Sequence, residues 1–416
     1  MKNFFSSYKG LPKEIYILFI GKIVNCIGSF VHPLMSLILT QRIGMSAFEA
    51  GQFVTILAVC QVPCMIIGGK LSDSFGRRKV IIVFQLLGAS MLVVCGIIPT
   101  SILTAQIMIL SSCFYAFSSP AYDALNADLT NEDNRKESYS LLYMGVNIGF
   151  SIGPILGGLL YKNYLNIIFI GDALTTVIAL GLFILYVKEP KHKMEEKISL
   201  ESKEYDEFSK VSTFKVLYKL PILVLFPIMM LLYQFSYSQW GFSLPLQMGT
   251  LFGEDGARLY GLLGTANGIT VIALTPILTN LTKKFNSLNI ISIGGTLYGL
   301  CFLVIAFANN MTLFFIAVIL LTIGEVLIAI NSSAFIANNT PASHRGRISS
   351  FIPMISGAGY ALGPMIMGKI IDLNGIFIAW IVVTCVAFIG SIGTLLLKKI
   401  KLKEFRYNSC NALERK

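Results

Sequence analysis

Charge is scarce in this chain. Only 13% of its 416 residues are Asp, Glu, Lys or Arg, while 55% are hydrophobic and the mean hydropathy is +0.71. A soluble domain carries about 25% charged residues, so this composition cannot coat a water-facing surface. The deficit runs along the whole length, which excludes a soluble domain with a single anchor. Histidine is scarcer still, at three residues, and no P-loop or catalytic constellation is present. An enzyme and a directly ATP-driven pump are thereby excluded as readings of this chain. The eight cysteines lack the paired spacing of a zinc site or a secreted disulfide scaffold, and most sit inside apolar segments as small hydrophobes. No metal and no cofactor are implied. The opening MKNFFSSYKGLPKE has no cleavage site ahead of its apolar run, so no signal peptide is expected. The net charge of +11 is not a nucleic-acid signature, because the basic residues sit between apolar runs.

What the chain does have is length in apolar runs. A spanning helix needs about 20 apolar residues, and only helices or closed barrels satisfy their backbone in lipid. Twelve such runs can be drawn, at 14–40, 47–69, 79–98, 101–127, 138–161 and 164–187, then 217–248, 256–281, 287–308, 311–338, 347–370 and 375–397. The expected fold class is an all-α membrane protein of twelve transmembrane helices in two six-helix pseudo-repeats. Its parts are an N-terminal bundle over 1–187, a polar cytoplasmic linker over 188–215, and a C-terminal bundle over 216–416 with a basic tail.

Orientation follows from lysine and arginine. With both termini in the cytoplasm, inner segments hold 27 of the 33 basic residues and outer loops only Arg42, Lys162, Arg258 and Lys369. The expected location is the cell membrane. The halves also read as copies. At an offset of 210 residues Arg135, Ser140, Met144, Gly149, Gly153, Pro154 and Gly158 fall on Arg345, Ser350, Met354, Gly359, Gly363, Pro364 and Gly368. A repeated six-helix unit places the substrate path at the interface of the halves.

Two motifs carry a family resemblance. Gly69-Lys70-Leu71-Ser72-Asp73-Ser74-Phe75-Gly76-Arg77-Arg78-Lys79 joins runs two and three. It resembles the G-x-L-x-D-x-x-G-R-[RK] loop of the major facilitator superfamily, apart from Ser74 where the family is usually basic. In the fifth run, Gly149, Gly153, Pro154, Gly157 and Gly158 match the G-x-x-x-G-P-x-x-G-G signature of that family's drug:proton antiporter branch at every fixed position. The resemblance spans the whole chain. It implies a proton-coupled exporter of small lipophilic, often cationic, compounds acting as a monomer. Its partners would be the substrate, protons and the bilayer. A sugar or metabolite efflux permease is the alternative, and an uptake symporter or a non-transporting sensor stands behind both.

The resemblance assigns Gly69, Asp73, Gly76, Arg77 and Arg78 to a cytoplasmic gating latch with an acid partner at Asp128 or Asp123. A loop that merely fixes topology is the other reading. The arginine that many members carry in the fourth helix is missing, since residues 80–134 hold no Lys or Arg. The fifth run holds no acid, only Asn147. Charges within the runs are rare and usually functional, which singles out Glu325 and Asp123 for proton coupling. Glu325 could instead be a structural acid bonded to Asn147 or Asn331, and Lys22 and Asp123 could form a static salt bridge. Asp172 is expected to be structural, and His32, next to Pro33, a polar contact at a kink. Tyr233, Tyr237 and Trp240 share a helical face that could stack on flat cations or pack against lipid. With Lys22 and Asn147 they complete the candidate substrate cavity.

Overall fold

The computed structural model describes residues 8–131, 134–189, 222–339 and 345–413, and among these every regular element is helical. In chain order the helices are α1 (Lys13–Ile27), α2 (Val31–Leu37, running on through a π turn at Ile38–Arg42), α3 (Ala47–Phe75), α4 (Arg77–Ile97), α5 (Ile102–Leu129), α6 (Arg135–Tyr161) and α7 (Leu165–Tyr186). They continue as α8 (Ile222–Ser238), α9 (Ser243–Phe252), α10 (Gly256–Thr282), α11 (Ser287–Phe307), α12 (Met311–Asn339) and α13 (Arg345–Leu413). Most of the 188–215 linker lies outside the described residues.

The described residues contain ten helical stretches long and apolar enough to cross a membrane. Two of them, 61 and 46 residues long, exceed the about 20 residues of one crossing. The first is interrupted between α8, α9 and α10. The second turns within α13 at Gly375, whose φ of 81° only glycine adopts readily. Apolar side chains stand outward, among them Ile66 at 60% exposure and Leu185 at 75%. In water that would be a liability, while in a bilayer it is the expected surface. This is a multi-pass membrane protein.

Two of the expected runs are not continuous helices. The run at 14–40 breaks at Gly28–Phe30. There α7 supplies Asp172, which accepts the N–H of Val31 at 3.3 Å, and Thr175, whose hydroxyl lies 1.7 Å from where a Cβ on Gly28 would stand. The run at 217–248 turns at Gln239–Phe242 between α8 and α9. Pro245 then falls in the first turn of α9, where its missing N–H costs nothing.

The chain forms two compact units that cross the sequence midpoint. One comprises Met1–Lys191, Gly241–Ile272 and Pro364–Asp372; the other comprises His192–Trp240, Ala273–Gly363 and Leu373–Lys416. In the first, α4 packs on α5 and α7, α3 on α5, and α1 on α6 and α7. A core of Ile15, Leu18, Val80, Ile81, Leu125, Leu141 and Phe183 draws those helices together at one end. In the second unit α11 packs along α12, with Trp380 fully buried and stacked on Phe302 at 5.7 Å.

The first unit also holds two mirrored helix seams. A Cβ on Gly158 of α6 would lie 2.5 Å from the carbonyl oxygen of Ala257 on α10. On Gly368 of α13 it would lie 2.2 Å from that of Ala47 on α3. Reciprocally, a Cβ on Gly261 would meet the Pro154 oxygen at 2.3 Å, and one on Gly51 the Pro364 oxygen at 2.3 Å. Every member of one seam is 210 residues from its counterpart in the other. Backbone touches backbone at both, which only glycine permits at this distance.

Candidate transport site

Three groupings of functional side chains emerge. The first surrounds the α3–α4 turn. Gly76, at φ 92°, ends α3 and opens α4 in a conformation that L side chains rarely adopt. The guanidinium of Arg77, 11% exposed, reaches Asp128 of α5 at 3.0 Å and Asp73 at 3.4 Å. Of the two aspartates offered by the sequence, Asp128 is therefore the one that meets Arg77 across helices. Gly69 packs near Pro120 of α5. Sequence reasoning missed Glu189. Its carboxylate accepts the backbone N–H of Arg77 at 2.8 Å and of Arg78 at 2.9 Å. It thus satisfies two of the orphan donors at the start of α4 and places negative charge at the positive end of the helix dipole. The side chain of Arg78 in turn donates to the Ile184 carbonyl at 2.8 Å, at the end of α7. Glu189 sat unremarked in the linker because a lone acid in a polar stretch carries no periodic signal.

The second grouping centres on Glu325 of α12. The phenol of Tyr237 donates to its carboxylate at 3.0 Å. Tyr298 of α11 stacks on Tyr237 with 6.2 Å between ring centroids, and Tyr233 meets Tyr298 edge-on at 6.4 Å. The neighbouring Gly324 touches the α11 backbone at Gly294, where a Cβ would lie 2.7 Å from the carbonyl oxygen. That contact draws α12 against α11 and brings the carboxylate under the aromatic group. Tyr233 itself bonds Thr394 at 3.1 Å, and Trp240 lies in the turn after α8 rather than on its helical face. The amides of Asn147 and Asn331 each donate to a carbonyl of their own helix at 2.9 Å. Tyr298 was absent from the sequence-based set, since one tyrosine within an apolar run gives no signal by itself.

The third grouping is a cavity of about 390 Å³ in the first unit, lined by Lys22, Asn25, Gln85, Tyr122, Asp123 and Asn126 among others. Lys22 stands over the ring of Tyr122 at 5.2 Å. Among the described residues Lys22 and Asp123 form no direct ion pair. A second cavity of about 430 Å³ adjoins it, sharing Asn25, Gln85, Tyr115, Ser119 and Thr176 and reaching His32 and Asp172 at the break between α1 and α2. The motif glycines of α6 line up against these broken helices. A Cβ on Gly149 would meet Cys26 at 2.3 Å, one on Gly153 the Cys26 carbonyl oxygen at 2.6 Å, and one on Gly157 Phe30 at 3.3 Å.

Many apolar crossings, polar cavities at membrane depth and close glycine seams define a membrane transporter. The chain belongs to the Major Facilitator Superfamily, whose profile matches residues 18–258 and 241–406. It is 27% identical over 352 residues to the MFS-type transporter YqjV of Bacillus subtilis (strain 168), covering 82% of each chain. To the class C tetracycline resistance protein of Escherichia coli it is 26% identical over 348 residues, covering 81% of this chain and 84% of that one. The crystal structure of a peptide transporter POT in complex with sulfate shares the fold, with a TM-score of 0.73, 15% identity and 96% of each chain covered.

Proposed function

We propose that this chain is a proton-coupled exporter of small lipophilic, often cationic, compounds, of the drug:proton antiporter branch. In this reading the two long apolar stretches each hold two crossings. That makes twelve helices in two six-helix halves, with both termini in the cytoplasm of a cell whose plasma membrane holds the monomer. The mirrored seams at an offset of 210 residues support the repeat. The tetracycline resistance protein among its relatives supports export of a drug-like compound.

The Tyr237–Glu325 hydrogen bond carries the functional reading. A carboxylate at membrane depth is costly unless it faces a cavity or serves transport, and this one is positioned by a phenol and stacked rings. The protonated acid is neutral and tolerates the apolar surroundings. Loss of its proton to the cytoplasm leaves a carboxylate that attracts a cation, while the tyrosine rings offer cation–π faces worth about 0.5–2 kcal/mol each. On the outer side a fresh proton displaces the cation. One elementary charge moving through 100 mV is worth about 2.3 kcal/mol, enough with a pH gradient to concentrate a cation tenfold or more. The latch of Arg77 with Asp73 and Asp128 would hold the cytoplasmic ends of α3, α4 and α5 in register while the halves rock.

The test is transport of a cationic dye into inverted vesicles with and without a pH gradient. Gradient-driven accumulation supports the reading, and equal dye levels under both conditions reject it. The polar lining around Lys22 and Asp123 favours a second reading, efflux of a sugar or other polar metabolite, which a sugar panel in the same vesicles would detect.

A further inference from the structure

The proposed export cycle uses Glu325, yet two further charges lie at membrane depth in the first unit. Lys22 on α1 and Asp123 on α5 line one cavity of about 390 Å³. The ion pairs among the described residues are Arg77–Asp73, Arg77–Asp128, Lys162–Glu254 and Arg258–Asp255, so neither charge is spent on a neighbour. The ring of Tyr122, 5.2 Å from the Lys22 ammonium, compensates that cation in part and leaves its N–H donors available. A charge held this way in a membrane protein needs a partner from the cavity.

The rest of the lining has spare capacity of a defined kind. Asn126 is 1% exposed. Its carbonyl oxygen accepts from Ser138 at 2.5 Å, while its Nδ2 group has no partner. The buried Tyr115 hydroxyl is likewise unpartnered. By contrast the amides of Asn25 and Gln85 are committed, to Thr176 at 2.9 Å and Ser118 at 2.8 Å. The cavity therefore offers one cation, one anion and two unspent donors. A buried unpaired donor is costly, and a ligand bearing acceptor oxygens would relieve it.

We propose that this cavity binds amphoteric ligands, with the acidic group of the ligand against Lys22, its basic group against Asp123, and its carbonyl or hydroxyl oxygens against Asn126 and Tyr115. This rests on the export reading and narrows its substrate class from lipophilic cations to molecules that carry both signs. The volume suits it, since the cavity and its 430 Å³ neighbour fall within the range of about 300–1,000 Å³ typical of small-molecule sites.

The experiment compares two dyes on one fluorophore, rhodamine B, which is zwitterionic, and its ethyl ester, which is only cationic. Binding to the purified full chain in detergent is read by fluorescence anisotropy, with no gradient, so it is independent of coupling and direction. The wild type should bind the acid about tenfold tighter than the ester, a ratio equal to one charge-assisted contact. Lys22→Gln should collapse that ratio to about one while ester affinity stays within about twofold. Lys22→Arg should preserve the ratio, which excludes a folding defect at this position. Asp123→Asn should weaken both dyes. An unchanged ratio in Lys22→Gln overturns the assignment. So does a Lys22→Gln/Asp123→Asn double variant that regains wild-type binding, because the charges would then serve each other. Failure of the export reading is a separate result, gradient-independent dye levels in vesicles, and leaves the binding ratio intact.

Discussion

Gly158 and Ala257 bring two helix backbones closer than any side chain would allow, and 210 residues away Gly368 and Ala47 do the same. A methyl group at Gly158 would face the Ala257 oxygen at 2.5 Å and the Arg258 Cα at 2.7 Å. Both neighbours are backbone, so neither can swing aside. The two seams act on equivalent points of the repeat, and a transporter that rocks must open and reseal both.

Gly158→Ala and Gly368→Ala should therefore each destabilise this packing by about 1–3 kcal/mol, the cost of overpacking, and lower transport. Gly181→Ala is the control, because a Cβ there meets nothing within 4 Å. Thermal unfolding followed by tryptophan fluorescence checks the order. Equal stability of Gly158→Ala and Gly181→Ala would contradict the seam.

At the latch, Asp128 is less exposed than Asp73, 36% against 62%, and lies closer to Arg77. Exposed ion pairs are worth about 0–1 kcal/mol, so Asp128→Asn should impair dye transport at least as much as Asp73→Asn. Arg77→Lys should rescue poorly, since a point charge cannot reach both acids as the guanidinium fork does. Full activity of Asp73→Asn and Asp128→Asn together would reduce the loop to a topology signal.

Glu325→Gln keeps the size and hydrogen-bonding capacity of the side chain but cannot exchange a proton. It should fold, reach the membrane and fail to concentrate a cationic dye against its gradient. Tyr237→Phe removes a hydrogen bond to a charged group, worth about 1.5–3 kcal/mol, and should slow transport by about tenfold or more. Uphill, gradient-dependent pumping by Glu325→Gln would make this residue structural and shift the coupling role to Asp123.

Asp172 caps the second segment of a broken helix by accepting the Val31 N–H. Asp172→Asn retains an acceptor oxygen and should keep expression and transport. Asp172→Leu leaves that N–H unsatisfied, at a cost of about 1–3 kcal/mol, and should lower thermal stability. Loss of transport in Asp172→Asn, with stability unchanged, would show that its charge takes part in the cycle.

Orientation is checked by labelling. In a variant freed of its eight cysteines, a thiol placed by Glu254→Cys should react with an impermeant reagent from outside the cell. One placed by Ser199→Cys, which lies outside the described residues, should not. The reverse pattern would invert the topology read from the basic residues.

Composition and apolar run length alone established that this chain lives in a membrane as helices, because both are summed over many residues and do not depend on which helices meet. The repeat and the Gly-Pro signature were legible for a related reason: identical residues recur at a fixed offset and spacing whatever their neighbours. Only the tertiary structure decided which charges meet. Asp128 rather than Asp123 faces Arg77, Glu325 finds Tyr237 from 88 residues away, and Glu189 returns to cap α4 from 111 and 112 residues away. The break in the first apolar run was equally invisible, since it depends on Asp172 and Thr175 arriving from α7 to replace bonds and fill space. Hydropathy measures how a residue meets its solvent, while hydrogen bonds and ion pairs depend on distances of a few ångströms that only the packed helices set.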